Sequence, residues 1–213
     1  PGVTELAQGK VKIEDLRDIS IKDLLGRDAV MPDIELLKLN TSNKVVMITG
    51  AGGSIGSEIC RQVLKLNPTL IILFDNSEFA LYKIEKELLD INDEDIKIIA
   101  LLGSVINKAR LEKIISKFRV QTIYHAAAYK HVPMVEFNNS EGVVNNIFGT
   151  LYCAEAAIKN MVETFVLIST DKAVRSTNTM GATKRFSELL LQAKSKIQSH
   201  TRFTIVRFGN VLG

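Results

Sequence analysis

The sequence predicts an α/β fold: a doubly wound parallel sheet flanked by helices. Three observations predict it. Apolar runs of strand length recur along the chain and are mostly continuous, as in strands buried on both faces. Amphipathic helical stripes separate them, so strand and helix alternate at roughly 25 to 40 residues, the pattern of βαβ units. The first apolar run passes directly into a glycine-rich turn, Thr49-Gly50-Ala51-Gly52-Gly53-Ser54-Ile55-Gly56.

The elements follow in order. Strands are expected at Val45–Ile48, Leu70–Phe74, Ile98–Leu102, Thr122–Ala126, Phe165–Ile168 and Phe203–Phe208. Five helices are expected on apolar stripes: Ile55, Ile59, Val63, Leu64; Leu81, Ile84, Leu88, Leu89; Ile106, Leu111, Ile114, Ile115; Val143, Ile147, Leu151, Ala154; and Phe186, Leu189, Leu190, Ala193. Each follows the three-to-four residue spacing of a helix face. Residues 1–43 read differently. They hold charges, Pro32 and a short amphipathic piece at Ile19–Leu25 ended by Gly26, and form a lead-in to a domain over residues 44–213.

Composition bounds the rest. The 213 residues are 46% apolar and 24% charged, the balance of a globular chain and not of a disordered or collagen-like one. No apolar run approaches the roughly 18 residues of a membrane span. The net charge of +3 is spread along the chain without a basic block, which speaks against nucleic-acid binding. Cys60 and Cys153 both fall in apolar helical patterns and read as buried free thiols in a reducing cytoplasm. His125, His131 and His200 do not pair with cysteines at zinc spacing, so no metal is expected. Residues 1–20 lack the apolar core of a signal peptide.

In the glycine turn, Gly50 suits a sharp exit from the strand, and Gly53 suits backbone approach to a pyrophosphate. Gly56 suits close packing of helix on sheet. Ser54 and Ile55 open the helix, whose N-terminus favours an anion. Asp75 ends the second strand, 25 residues after Gly50. A carboxylate there can accept both adenosine ribose hydroxyls and repels a 2′-phosphate, which favours NAD over NADP. The lesser reading is a cap of the following helix, near Asn76 and Ser77.

The glycine turn resembles that of the extended short-chain dehydrogenases/reductases, a Rossmann-like family. Three further motifs narrow the resemblance: Ala128-Tyr129-Lys130-His131-Val132-Pro133-Met134, Ser169-Thr170-Asp171-Lys172-Ala173-Val174 and Met180-Gly181-Ala182-Thr183-Lys184-Arg185. Together they are similar to the large membrane-anchored UDP-N-acetylglucosamine 4,6-dehydratases of bacterial polysaccharide synthesis and protein glycosylation. The resemblance covers residues 20–213. It implies NAD as cofactor, UDP-N-acetylglucosamine as substrate, a homo-oligomer, and a place on the cytoplasmic face of the inner membrane. The implied reaction oxidises C4, eliminates water across C5 and C6, and returns hydride to C6.

Chemistry and resemblance together assign roles. Elimination needs an acid and a base on neighbouring groups. Asp171 is the expected acid at the C6 hydroxyl, protonated near neutral pH through partial burial. Lys172 is the expected base at C5, made neutral by burial beside Lys184 and the nicotinamide. Many sugar nucleotide dehydratases carry Glu at that position. Thr170 is expected to position the sugar or bond the C4 oxygen. The superfamily's Tyr-x-x-x-Lys survives here in spacing only, as Met180 to Lys184. A thioether cannot accept the C4 proton, so water, Asp171 or Thr170 by relay is expected to take it. Lys184 keeps the nicotinamide ribose. Ala126 and Ala127 line the cofactor, and Ser104 stands where many relatives place an adenine-binding Asp. Lys130 and Asn210 are expected at the substrate, and Asn146 supports the site through backbone hydrogen bonds. His125 reads as a strand-end residue. Two other readings share the motifs: a UDP-N-acetylhexosamine 4-epimerase, and an NAD-binding module without catalysis. The chain lacks an initiator Met and stops at Gly213, where the substrate lobe of such an enzyme is expected to begin.

Overall fold

Parallel pairing organises the six strands found among the described residues. The structure, a computed structural model, describes residues 31–92 and 96–209. The strands are β1 (Val45–Thr49), β2 (Leu70–Asp75), β3 (Lys97–Leu102), β4 (Thr122–His125), β5 (Thr164–Thr170) and β6 (Arg202–Phe208). They lie in the order β3-β2-β1-β4-β5-β6. The order reverses between β1 and β4, and open α/β sheets bind ligands at the carboxyl end of such a switch point.

Side-chain alternation along the strands divides the core. Val46, Ile48, Ile71 and Leu73 point to one face. There they meet α2 (Ser54–Leu64) through Cys60, Val63 and Leu64, and α3 (Glu78–Asp90) through Leu81, Ile84 and Leu88. Met47, Ile72, Phe74, Ile123, Phe165 and Leu167 point to the other face. They meet α4 (Lys108–Phe118), α7 (Gly149–Lys159) and α8 (Thr179–Lys196). Burying a side chain such as Leu73 on one face or Phe165 on the other is worth about 1.5–3 kcal/mol, so both faces hold the sheet. Cys60 and Cys153 are buried free thiols, each pushed up to about 12 by burial.

The compact unit that holds the sheet runs Ile34–Asn210. It includes the short α1 (Ile34–Lys38) and the turn after it, in which the Asn40 carbonyl accepts the Thr122 hydroxyl at 2.6 Å. The Ile19–Leu25 piece lies outside the described residues.

Two apolar stripes are corrected. On α8 only Leu190 of the expected stripe packs against the core; Phe186 is 55% and Leu189 46% exposed, and Ala193 is exposed too. The inward face is Met180, Thr183, Lys184, Ser187, Glu188 and Leu191. The polar members can face inward because they have partners there. For example, Ser187 donates to the Asn146 carbonyl at 2.9 Å. In the fourth helix, a π-helical turn at Val144–Phe148 precedes α7 and follows the short α5 (Val132–Phe137) and α6 (Asn139–Val143). Its extra residue rotates Asn145, Asn146 and Thr150 inward in place of Val143 and Ile147.

Candidate active site

The glycine turn has the geometry that its spacing requires. Gly50 sits at φ +70°, and a Cβ there would lie 2.6 Å from the Ala127 amide nitrogen. Its own amide donates to the Phe74 carbonyl at 2.8 Å. A Cβ on Gly56 would lie 1.9 Å from the Gly50 carbonyl oxygen. Helices α3, α4 and α8 are capped by the side chains of Ser77, Asn107 and Asn178. Helix α2 begins after Gly53 with no side-chain cap. Its first amides are therefore left for another acceptor, such as an anion.

Asp75 accepts two backbone amides, while the cap of α3 itself is Ser77. Its Oδ1 accepts the Ser77 amide and its Oδ2 the Gly52 amide, each at 2.9 Å. The carboxylate thus fixes the glycine turn against the start of α3. It also lines a cavity of about 280 Å³ together with Gly50, Gly53, Gly103, Ala126 and Ala127. Each oxygen keeps a second lone pair for a ligand. Ser104 is corrected. Gly103 and Val105 line that cavity, while the Ser104 hydroxyl accepts the Ile106 amide at 3.4 Å within its own turn. A second cavity of about 550 Å³ shares Gly50, Gly53, Ala126, Ala128 and Tyr129 with the first. Ser54, Ile55, Gly56 and Lys130 line it as well. The two spaces meet at Gly50 and Gly53, beside the uncapped start of α2.

The turn after β5 brings Thr170, Asp171 and Lys172 to the carboxyl end of the sheet. Thr170 donates its hydroxyl to Asp171 Oδ1 at 2.9 Å and accepts the Lys172 amide at 3.3 Å. Lys172 Nζ stands 3.8 Å from Asp171 Oδ1. The expected protonation of Asp171 is corrected. Its side chain is 60% exposed, and the Thr170 hydroxyl bond holds its carboxyl below the usual range, helped by the Lys172 charge. Among the described residues, burial raises it too little to offset these two. The burial expected of Lys172 belongs instead to Lys184. Lys172 is 41% exposed along its side chain. Lys184 is buried, which pushes it down to about 8 against the opposing pull of Glu188. Met180 is buried, and its carbonyl accepts the Thr183 hydroxyl at 2.7 Å. Asn210 lies outside the described residues.

Asn146 does what was expected of it. Its Oδ1 accepts the Tyr129 amide at 2.8 Å, and its Nδ2 donates to the Tyr129 carbonyl and to Thr183 Oγ1, both at 3.0 Å. It therefore ties the loop after β4 to the helix that carries Lys184.

Sequence reasoning missed the buried network beside it. His125 Nδ1 lies 2.7 Å from Thr49 Oγ1, and Nε2 lies 3.1 Å from Thr150 Oγ1. Thr150 spends its one proton on the Asn146 carbonyl at 2.6 Å. Nε2 must then donate and Nδ1 must accept, which fixes one neutral tautomer. Burial, with the Lys184 charge, lowers His125 from 6.5 to about 3. Because the folded value lies below the unfolded one, protons favour unfolding. The stabilisation is present above pH 6.5 and is lost as pH falls toward 3. Wild-type stability should fall by about 1 kcal/mol or more from pH 6.5 to 5, before most carboxylates titrate. His125→Gln should flatten that segment of a urea-unfolding profile. An equally steep His125→Gln profile would show that another group sets the slope.

A family model described as "Polysaccharide biosynthesis protein" matches residues 46–213. The capsular polysaccharide biosynthesis protein CapD of Staphylococcus aureus is 45% identical over the whole chain. A UDP-N-acetylglucosamine 4,6-dehydratase (inverting) of Campylobacter jejuni is 33% identical over 81% of it. A UDP-glucose 4-epimerase of Rickettsia prowazekii is also 33% identical, over 80%. The chain spans 36% of the CapD length and 50% of the dehydratase and of the epimerase. Among solved structures, Pen from Bacillus thuringiensis superposes with a TM-score of 0.74 at 36% identity, over 81% of this chain and 52% of that one. With the matched region taking in the whole sheet, the glycine turn and the turn after β5, the chain belongs to the polysaccharide biosynthesis protein family.

Proposed function

We propose that this chain is the NAD-binding and catalytic part of a UDP-N-acetylglucosamine 4,6-dehydratase. The observation that carries the reading is the Asp171–Lys172 pair at the carboxyl end of β5, beside a helix that buries Lys184. The glycine turn, the uncapped α2 and Asp75 fit NAD. When bound there, NAD supplies the hydride acceptor for C4 and returns the hydride to C6.

The chain's own residues handle the protons. Met180 has no basic atom to offer the C4 hydroxyl. Thr170 donates to an ionised Asp171, so a proton leaving C4 can pass through Thr170 to that carboxylate. Asp171 then holds the proton that the C6 hydroxyl needs to depart as water. Its exposed, ionised resting state thus becomes a requirement of the cycle. The base at C5 is the neutral amine form of Lys172, which takes the C5 proton as an ammonium and gives it back when C6 is reduced. Lys184 holds the nicotinamide ribose, and Lys130 meets the diphosphate or a sugar hydroxyl. The balance is one water lost per sugar nucleotide, with NAD regenerated.

The test is incubation of the natural-length protein with UDP-N-acetylglucosamine, followed by mass and NMR analysis of the product. Loss of one water with a new 4-keto-6-deoxy sugar is expected. An isomer of unchanged mass would replace the reading with 4-epimerisation, which the equal similarity to the epimerase supports. The reading includes a homo-oligomer anchored at the cytoplasmic face of the inner membrane. No helix among the described residues is long and apolar enough to cross a membrane. Cell fractionation with sizing in detergent checks this part, and a soluble monomer would overturn it.

A further inference from the structure

Helix α8 turns one fully buried carboxylate toward the ends of both β5 and β6. Glu188 is 0% exposed. Its Oε1 accepts Ser169 Oγ and Arg207 Nε, each at 2.7 Å. Its Oε2 accepts Arg207 Nη2 at 2.5 Å and Arg185 Nη1 at 2.9 Å. Burial pushes the carboxyl up, but these hydrogen bonds outweigh it and bring it down to about 2.

The connections of these partners matter. Ser169 and Arg207 sit opposite each other across the β5–β6 pairing. Ser169 directly precedes Thr170, Asp171 and Lys172, and Lys184 lies one helical turn before Glu188. If the task were only to pack α8 on the sheet, an apolar side chain would do it at equal or better stability. A leucine there would leave the Ser169 hydroxyl and the Arg207 guanidinium unfixed. We propose that Glu188 is a positioning residue that sets the spacing between the Thr170–Asp171–Lys172 turn and Lys184. The proposal rests on the reading of those residues as the reacting groups.

The surroundings leave little slack. A Cβ on Gly181 would lie 2.3 Å from the Lys172 carbonyl oxygen, and one on Gly209 would lie 3.1 Å from Asp171 Oδ2. A shift of α8 or of either strand end therefore reaches the turn directly, and misplacement by about 1 Å can lower a rate about 100-fold. Charge adds a second link. Lys184 faces neutral His125 from β4 and Glu188 from its own helix, with Arg185 and Arg207 beyond the carboxylate. Glu188 is the charge that favours the Lys184 ammonium.

The experiment compares wild-type natural-length protein with Glu188→Gln and Ser169→Ala. It measures steady-state kinetics with UDP-N-acetylglucosamine, and NAD binding by fluorescence from about pH 6 to 9. Glu188→Gln should lower kcat about 100-fold and leave KM within about threefold. It should also move the pH midpoint of NAD binding down by about one unit. Ser169→Ala should lower kcat less and leave the midpoint in place. Wild-type kcat and midpoint in Glu188→Gln, with only a lower melting temperature, would overturn the proposal. If Glu188→Gln does not fold, Ser169→Ala decides, and an unchanged kcat overturns. If the wild type does not dehydrate the sugar nucleotide, the functional reading fails, and the NAD-binding midpoint still tests the coupling of Glu188 to Lys184.

Discussion

Lys172→Ala should abolish the entry of solvent deuterium at C5 of UDP-N-acetylglucosamine, with kcat lowered about 10²–10⁴-fold, the usual contribution of a positioned acid or base. Asp171→Asn should lower kcat by a similar factor through a different step. An amide can neither take the C4 proton from Thr170 nor protonate the C6 hydroxyl. The hydrogen bond from Thr170 Oγ1, now 2.9 Å to Asp171 Oδ1, can still form to the amide oxygen, so the turn keeps its shape. NAD binding should therefore survive in both variants, because Gly53, Asp75 and Lys184 are untouched. Met180→Ala should cost far less than either, since that side chain fills buried space and has no proton to move. The measurement is mass spectrometry of recovered sugar nucleotide after incubation in deuterium oxide. Wild-type C5 exchange in Lys172→Ala would remove Lys172 as the base. A loss in Met180→Ala as deep as in Asp171→Asn would give Met180 a role beyond packing.

The difference between Asp171 and Lys184 shows where sequence reasoning reached its limit. The central strands were legible because a parallel sheet covered on both faces needs unbroken apolar runs; Leu70–Phe74 came within one residue of the observed bounds. The glycine turn was legible because only glycine tolerates the contacts at Gly50 and Gly56. Helix α8 misled because its buried face is polar, and an apolar stripe is the wrong signal for a helix that faces a site. Thr183, Lys184, Ser187 and Glu188 stand at helical spacing, and that polar stripe could have been read as an inward face. The His125 network was beyond reach for another reason. Thr49 and His125 are 76 residues apart, and only the parallel β1–β4 pairing brings them together. Which lysine is buried depends on packing of the same kind, so it too required the structure.

Gly56→Ala should lose NAD binding almost completely and destabilise the domain by about 1–3 kcal/mol or more, the range for forcing a methyl into filled space. The methyl would lie 1.9 Å from the Gly50 carbonyl oxygen, which is backbone and cannot swing aside as a flexible side chain would. That same oxygen accepts the Gly53 amide at 3.1 Å, and Gly50 is itself pinned to the Phe74 carbonyl and crowded by Ala127. Relief therefore has to come from moving α2 away from the turn. Such a movement withdraws the uncapped amides of α2 from the place where a pyrophosphate would sit, so stability and cofactor affinity should fall together. Gly53→Ala is the internal control. Its methyl would meet the Gly50 oxygen at 3.3 Å, a contact that shifts of a few tenths of an ångström relieve, and the φ of −73° there suits any residue. It should fold with a melting temperature near wild type while weakening NAD through the added methyl alone. Thermal unfolding and NAD titration of the two variants separate these effects. If Gly56→Ala binds NAD as tightly as wild type, the close packing of α2 on the turn is not what builds the phosphate site.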